Sequence, residues 1–360
     1  MAGPVRRDVG VWGSRKVRPG ERVDLALTVS KSYGGARIRI PLHVWRGARP
    51  GPTVFVTAAV HGDELNGTGT IRHLILESPF DLLAGSLVLV PVVNILGFER
   101  LSRYSPDRRD LNRSFPGIRK GSLTSRLARV VYENIVSRCD YGIDLHTASA
   151  RRTNFPNTRA DMADQATARL ATMFGAELIL SGRGPKGGLR REAVKAGCAT
   201  VVLEAGEIWK VEPAVVEYTL RGIRNVLIGL EMTDGEVFEP AYRVVAEETK
   251  WIRAADGGFL TFHVHPGDVI EKGQPIATNT SLVGRRQNVL TAPRDAVVLG
   301  MTTLPAVSPG DPVCNLAFSG DEELRLMQAA IGTLPRDDLL ARLHDDLATN
   351  VLVAELLPAP

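Results

Sequence analysis

The residues best suited to chemistry begin with His61-Gly62-Asp63-Glu64, which follows a short apolar, β-rich run at 52–60 and precedes a helical pattern. At such a strand-to-helix turn the ligand atoms of a His/Glu pair three positions apart can converge on one cation. His146 closes another apolar run, Gly142-Ile143-Asp144-Leu145, and meets that pair only if the two runs are neighbours in a sheet. Two imidazoles and one carboxylate, with a fourth position left to water, form the donor set of a catalytic zinc site. Such an ion acidifies water and polarises a carbonyl, so one Zn2+ per chain is the expected cofactor. A lone histidine at a strand end is more often a hydrogen-bonded structural residue. The pair spacing, and the carboxylate of Glu204 arriving at the end of the later run Val201-Val202-Leu203, favour the metal. Glu204 then has the place of a general base; Glu207 lies beyond Gly206 and fits that role less well.

Between these points lies a polar segment, Arg103 to Gly117, reading RYSPDRRDLNRSFPG. Arg113 offers a planar fork that suits a carboxylate, and Asn112 adds neutral hydrogen bonding. Arg103 is placed to stabilise a developing oxyanion. Arg108 and Arg109 read as solvated loop residues, whereas Asn112 and Arg113 are pinned between Leu111 and Phe115.

Elements must bring these groups together. Apolar β-rich runs at 52–60, 87–93, 141–145, 177–180 and 199–203 alternate with helical spacing at 66–76, 122–136, 161–174 and 213–230. That alternation predicts an α/β layered sheet covered on both faces, with ligands at the carboxyl ends of its strands. Residues 1–50 read as lead-in strands and 51–235 as the zinc-binding α/β catalytic domain. Residues 236–319 change texture to short strands punctuated by turns, with a weak repeat of HPGD (265–268) as SPGD (308–311). They predict a smaller C-terminal all-β barrel or sandwich domain. A helical tail follows over 320–360, expected to pack simply.

Four ordered stretches, HGDELNG at 61–67, NILGFERLSRYSPDRRDLNRSFPG at 94–117, DLHTA at 144–148 and LEAGE at 203–207, resemble the succinylglutamate desuccinylase/aspartoacylase family, relatives of the zinc carboxypeptidases. The resemblance spans roughly 50–235, and the β-rich segment to about 318 is similar to the family's C-terminal domain. It implies a zinc-carboxypeptidase-like mixed sheet flanked by helices and a zinc-dependent amidohydrolase that cleaves the amide of an N-acyl amino acid. By motif it implies His61, Glu64 and His146 as zinc ligands, Glu204 as base and proton shuttle, and Arg103 as carbonyl polariser. Asn112 and Arg113 would hold a substrate carboxylate, Arg190 in Gly187-Gly188-Leu189-Arg190 would be a second anion-binding arginine, and Asp144 would act at most from outside the metal's ligands. The alternatives are a zinc carboxypeptidase acting on short peptides and a non-catalytic zinc-binding module. No motif specifies the acyl group or the amine.

Composition narrows the class. At 360 residues the chain suits two domains. A net charge of +4 with its basic residues spread along the chain argues for a small anionic substrate and against nucleic acid. An odd three cysteines without CxxC spacing argue against a disulfide framework or a cysteine zinc site. No apolar run reaches membrane-spanning length and no secretory signal follows Arg6-Arg7-Asp8, so a cytoplasmic enzyme is expected, with a homo-oligomer left open. His263 and His265 alternate on a predicted strand but lack a third ligand, so they read as a solvated face. His73 has no assigned role, and Lys272 lies in an ordinary turn rather than at a carrier-lysine position.

Overall fold

The computed structural model describes residues 10–335 and 337–348. After a two-strand ladder of β1 (Val11–Trp12) and β2 (Arg15–Lys16), the predicted lead-in strands form a long hairpin, β3 (Arg22–Lys31) and β4 (Arg37–Arg46). The alternating core follows: β5 (Arg49–Ala58), α1 (Asn66–Glu77), β6 (Ala84–Val90), the short α2 (Ile95–Phe98), α3 (Leu123–Asn134), β7 (Tyr141–His146), β8 (Arg152–Ala160), α4 (Gln165–Phe174), β9 (Leu178–Ser181), α5 (Leu189–Lys195), β10 (Ala199–Gly206) and α6 (Pro213–Gly229). Strands β11 (Val244–Ala246), β12 (Glu248–Arg253), β13 (Gly258–Phe262), β14 (Val269–Ile270), β15 (Pro275–Thr280), β16 (Arg286–Thr291), β17 (Ala296–Thr302), β18 (Ala306–Val307) and β19 (Pro312–Phe318) come next, then α7 (Asp321–Ile331) and α8 (Leu339–Ala348).

The centre of the sheet runs β10-β7-β5-β6 with all neighbours parallel. Strands β6 and β7 are buried along nearly their whole length, which is why they read as unbroken apolar runs rather than alternating ones. Helices α1, α4 and α6 cover one face through Ile71, Leu74, Leu170, Phe174, Val215 and Val226. Helices α3 and α5 cover the other through Leu127, Val131, Leu189 and Ala193. The start of α3 is fixed by Ser122, whose hydroxyl accepts from the Ser125 N–H, and that of α4 by Asp164, which accepts from Thr167. The mixed sheet flanked by helices is therefore present, and the β3–β4 hairpin is its edge, joined through β4–β6.

On the other side the sheet continues antiparallel from β10 to β8, then to β17, β19 and β12. Strand β8 has no counterpart among the predicted elements. The C-terminal β segment differs from a separate barrel in one respect. It has a core of its own, built on Leu260, Phe262, Ile276, Val298, Val313 and Leu316, between the four-stranded sheet β16-β15-β13-β18 and its partner layer. That partner layer is the end of the central mixed sheet itself. The joint is β17 against β8, with Gly300 opposite Asn154 and Met301 opposite Thr153. A Cβ at Gly300 would lie 2.4 Å from Asn154 Oδ1 and 2.6 Å from the Thr153 carbonyl oxygen, so glycine is what lets the two strands close.

Helix α8 packs Leu343 into the core under α6, while Leu340 and Leu347 join Leu324 and Met327 of α7 over β9 and β11. Arg342 pairs with Glu217 of α6 at 2.9 Å. The tail is thus packed onto the α/β layer; residues 349–360 lie outside the described residues. Among the described residues no helix is long and apolar enough to cross a membrane.

Candidate metal and active site

Three parallel strands end at one mouth. Chain leaving β5 turns through Ala59 in the left-handed region (φ 49°) and delivers His61 and Glu64. Strand β7 ends on His146, and Glu204 stands beside it in the parallel register of β10. The local pair His61 and Glu64 meets His146 and Glu204 because β5, β7 and β10 are neighbours in the sheet.

Glu64 is the hub. His61 Nδ1 lies 2.6 Å from its Oε1 and His146 Nδ1 lies 2.7 Å from its Oε2. The two rings stand 5.0 Å apart at 62°. One ligand atom from each of His61, Glu64 and His146 falls within 4.8 Å of the others, and all three residues are buried. Each imidazole is anchored through its far nitrogen. Asp144 Oδ2 is 2.9 Å from His146 Nε2, and Thr57 Oγ1 donates to Asp144 Oδ1 at 2.7 Å. Asp110 Oδ1 is 3.2 Å from His61 Nε2. Carboxylates behind both histidines fix the rings and raise their basicity, the usual support for metal-binding imidazoles.

Electrostatics agree with a cation here. Burial by itself would raise the Glu64 carboxyl, but the charges of His61 and His146 outweigh it and hold the group well below the usual carboxylate range. Burial would likewise lower both imidazoles, yet Glu64 raises His61, and Asp144 with Glu64 raises His146 well above its ordinary value. A pocket that pulls protons onto two buried imidazoles will accept a divalent cation in their place. The donor set fits a zinc-class ion.

Around this hub the arginines fall into two groups. Arg103 NH1 is 3.3 Å from His61 Nδ1 and 3.5 Å from Glu64 Oε1, and its NH2 donates to Asp110 Oδ2 at 3.1 Å. Burial opposes its charge, but Glu64 and Asp110 raise its pKa overall. Arg113 and Arg190 line a cavity of ≈ 410 Å3 that His61, Glu64 and His146 also line. Arg190 is 8% exposed, and its NH1 is buried without a hydrogen-bond partner. Burial first, and then the neighbouring Arg159, pull its pKa down to about 10, which leaves it charged at neutral pH. Asn112 has a more structural share than the sequence suggested. Its Oδ1 accepts from the Leu189 N–H at 2.9 Å, at the start of α5, so its amide NH2 is what can face a ligand.

Glu204 lines the same cavity, and two donors meet on its Oε2: Asn154 Nδ2 and Arg159 NH2, each at 3.0 Å. Both come from β8, and neither was a sequence candidate; Asp110 was quoted within a motif but given no role. Strand β8 carries the buried polar residues Thr153, Asn154, Asn157 and Thr158, a pattern that hides it from any search for apolar alternation. Thr249, Trp251 and Asn315 wall the cavity from the C-terminal β segment, and Arg152 stacks over Trp251 at 4.6 Å. Glu207 pairs with Lys210 at 3.0 Å and does not line the cavity. His73 is exposed on α1.

Residues 50–230 match the succinylglutamate desuccinylase/aspartoacylase catalytic domain. The chain is 27% identical over 307 residues to an N-alpha-acetyl-L-2,4-diaminobutyric acid deacetylase of Halomonas elongata, covering 81% of this chain and 89% of that protein. Its fold matches the crystal structure of a succinylglutamate desuccinylase/aspartoacylase from Rhodobacter sphaeroides, with TM-score 0.73, 25% identity, and coverage of 84% and 97% of the two chains. It also matches the product-bound ectoine utilization protein of Ruegeria pomeroyi, with TM-score 0.73, 25% identity, and coverage of 84% and 96%.

Proposed function

The chain belongs to the succinylglutamate desuccinylase/aspartoacylase family, and from that premise we propose that it is a zinc-dependent amidohydrolase that removes the acyl group from an N-acyl amino acid carrying a second anionic group. The observation that carries this reading is the convergence of Glu204 with the His61, Glu64 and His146 cluster at one strand mouth, with Arg103 beside it.

His61, Glu64 and His146 would hold the zinc, which supplies a Lewis acid for the scissile carbonyl and lowers the pKa of water. Glu204 takes the proton of the attacking water and returns it to the leaving nitrogen, while Asn154 and Arg159 keep its carboxylate oriented toward the cavity. Arg103 donates to the carbonyl oxygen as charge develops there. Arg113 and the Asn112 amide hold the amino-acid carboxylate.

The second anion follows from the balance of charge in the cavity. Among the described residues, Arg103, Arg113, Arg152, Arg159, Arg190 and Arg191 line it, against the carboxylates of Glu64 and Glu204. Glu64 is committed to two histidines and Glu204 to Arg159, so neither is left for a cationic leaving amine. A 2,4-diaminobutyric acid product keeps a second amine, and here that amine would meet arginines. Arg190, which lines the cavity and stays charged at neutral pH, would receive an additional carboxylate instead. Thr249, Trp251 and Asn315 close the far side, which favours a small molecule over a peptide.

A hydrolysis screen tests this, comparing N-acetyl and N-succinyl derivatives of acidic, neutral and cationic amino acids with short peptides, on zinc-loaded protein. Acidic amino acids should be released with the highest kcat/KM. Preference for N-acyl-diaminobutyrate, or for peptides, overturns the substrate class. Glu204→Gln should lose at least about 100-fold in kcat with bound zinc unchanged; full activity in that variant removes the base.

A further inference from the structure

Sequence spacing sets His263 and His265 on one strand face with no further ligand. The fold separates them. Strand β13 ends at Phe262, His263 Nε2 meets the Thr278 hydroxyl at 2.8 Å, and His265 begins the turn His265-Pro266-Gly267-Asp268. In that turn His265 Nδ1 lies 3.5 Å from Asp268 Oδ2. From α8, far away in sequence, His344 Nε2 comes within 2.8 Å of Asp268 Oδ1. The two rings stand 5.5 Å apart at 56°.

This repeats the donor set of the active site. There too a histidine and a carboxylate three residues apart meet a second histidine from a distant element, with rings 5.0 Å apart at 62°. In both clusters one ligand atom from each residue lies within 4.8 Å of the others. The second cluster sits on the far side of the sheet joint, with side chains 26–32% exposed, so water can complete a coordination shell and an ion can enter.

The chain contains its own control for the bland explanation, that Asp268 merely shapes a turn. The repeat Ser308-Pro309-Gly310-Asp311 makes the same turn, with Asp311 Oδ2 accepting from the Ser308 N–H at 2.8 Å as Asp268 Oδ2 accepts from the His265 N–H at 2.7 Å. Serine is enough for that geometry, so the His265 imidazole is surplus to it. So is the approach of His344, which runs close over Gly267: a Cβ there would meet His344 Cδ2 at 3.3 Å and Phe155 Cδ2 at 2.7 Å, and its φ of +100° favours glycine.

We propose that His265, Asp268 and His344 form a second divalent-metal site, selective for the zinc class of ions, that fastens α8 to the β segment. Two imidazoles and a carboxylate suit zinc and its late first-row neighbours and suit calcium or magnesium poorly. The role is structural, because the three ligands join the turn after β13 to α8; the neighbouring carboxylate of Asp345 lies 3.9 Å from His344 Nδ1 on the exposed side of that helix. The ion would tie the helical tail to the turn beside β17, and so to the strand that joins the two layers.

The test is zinc stoichiometry on the full chain, stripped with chelator and dialysed against Zn2+ buffered at sub-micromolar free concentration. His146→Ala removes a ligand of the first cluster; His265→Ser leaves the turn that Ser308 already makes. Wild type should bind two equivalents, and His146→Ala, His265→Ser and His344→Ala one each. Adding Zn2+ to His146→Ala should raise its thermal midpoint, and adding it to the His146→Ala, His265→Ser double variant should not. If His146→Ala binds no zinc, or if His265→Ser and His344→Ala lose none, the second site does not exist and the cluster is a hydrogen-bonded ion pair.

Discussion

Asp144 and His146 leave the same face of β7 two residues apart, and Asp144 Oδ2 sits 2.9 Å from His146 Nε2. The spacing that makes a strand alternate therefore also builds the support of the proposed metal ligand: one residue presents its ring, and its near neighbour holds that ring from behind. Asp144 is fully buried and accepts a second bond from Thr57 on the adjacent strand, so its position is over-determined.

The first consequence concerns metal affinity. Asp144→Asn keeps the shape of the side chain but removes the charge behind His146, and zinc affinity is expected to fall roughly 10–100-fold. Asp110→Asn should act the same way through His61. Competition with a chromophoric chelator measures both. Unchanged affinity in both variants would mean that these carboxylates serve only to place the rings.

How much of this was legible beforehand follows from where each signal lies. His61 and Glu64 were readable because their spacing is local and their strand is an apolar run. His146 and Glu204 were readable because parallel strands buried on both faces also appear as apolar runs, each ending on its candidate residue. Asp110 was not assigned, since its role exists only once the loop folds back onto His61. Strand β8 was invisible because its buried residues include Thr153, Asn154, Asn157 and Thr158, which break any apolar alternation. The β17–β8 joint and the His344 contact depend on registers between distant segments, which no local pattern encodes.

Arg190 links stability and binding with opposite signs. A guanidinium whose NH1 is buried without a partner costs the substrate-free protein stability. Arg190→Met is therefore expected to leave the thermal midpoint without substrate unchanged or higher. KM for a dianionic substrate should rise roughly 10–100-fold, the equivalent of one lost charged hydrogen bond of about 1.5–3 kcal/mol, while kcat stays within a few-fold. A fall in the midpoint with KM unchanged would make Arg190 a packing residue.

Asp107 gives a pH dependence of folding. It accepts from the Thr124 N–H at 3.1 Å and from the Thr124 hydroxyl, at the unsatisfied first turn of α3. Burial tends to raise its pKa, but these bonds outweigh it and the carboxyl lies below its ordinary value. A depressed folded pKa means that the stabilisation is fully present above the unfolded value of about 3.9 and is lost as the pH falls through the folded one. Asp107→Asn should cost about 1 kcal/mol at neutral pH and flatten the acid limb of urea-unfolding curves. Parallel acid limbs in the two proteins would show that other carboxylates set it.

Gly300 tests whether the continuous sheet matters to the site. Its Cβ would collide with Asn154 Oδ1 and the Thr153 carbonyl, and Asn154 is one of the two donors that hold Glu204. Gly300→Ala must therefore either part β17 from β8 or push Asn154 aside. Overpacking of this kind costs about 1–3 kcal/mol, to be read from urea unfolding, and kcat should fall with it because Glu204 loses a support. Gly34 is the control, since nothing lies within 4 Å of its Cβ position, and Gly34→Ala is expected to be near neutral. If Gly300→Ala loses stability but keeps its kcat, β8 holds Glu204 without help from the joint. If it loses neither, the two layers are not coupled through Gly300 at all.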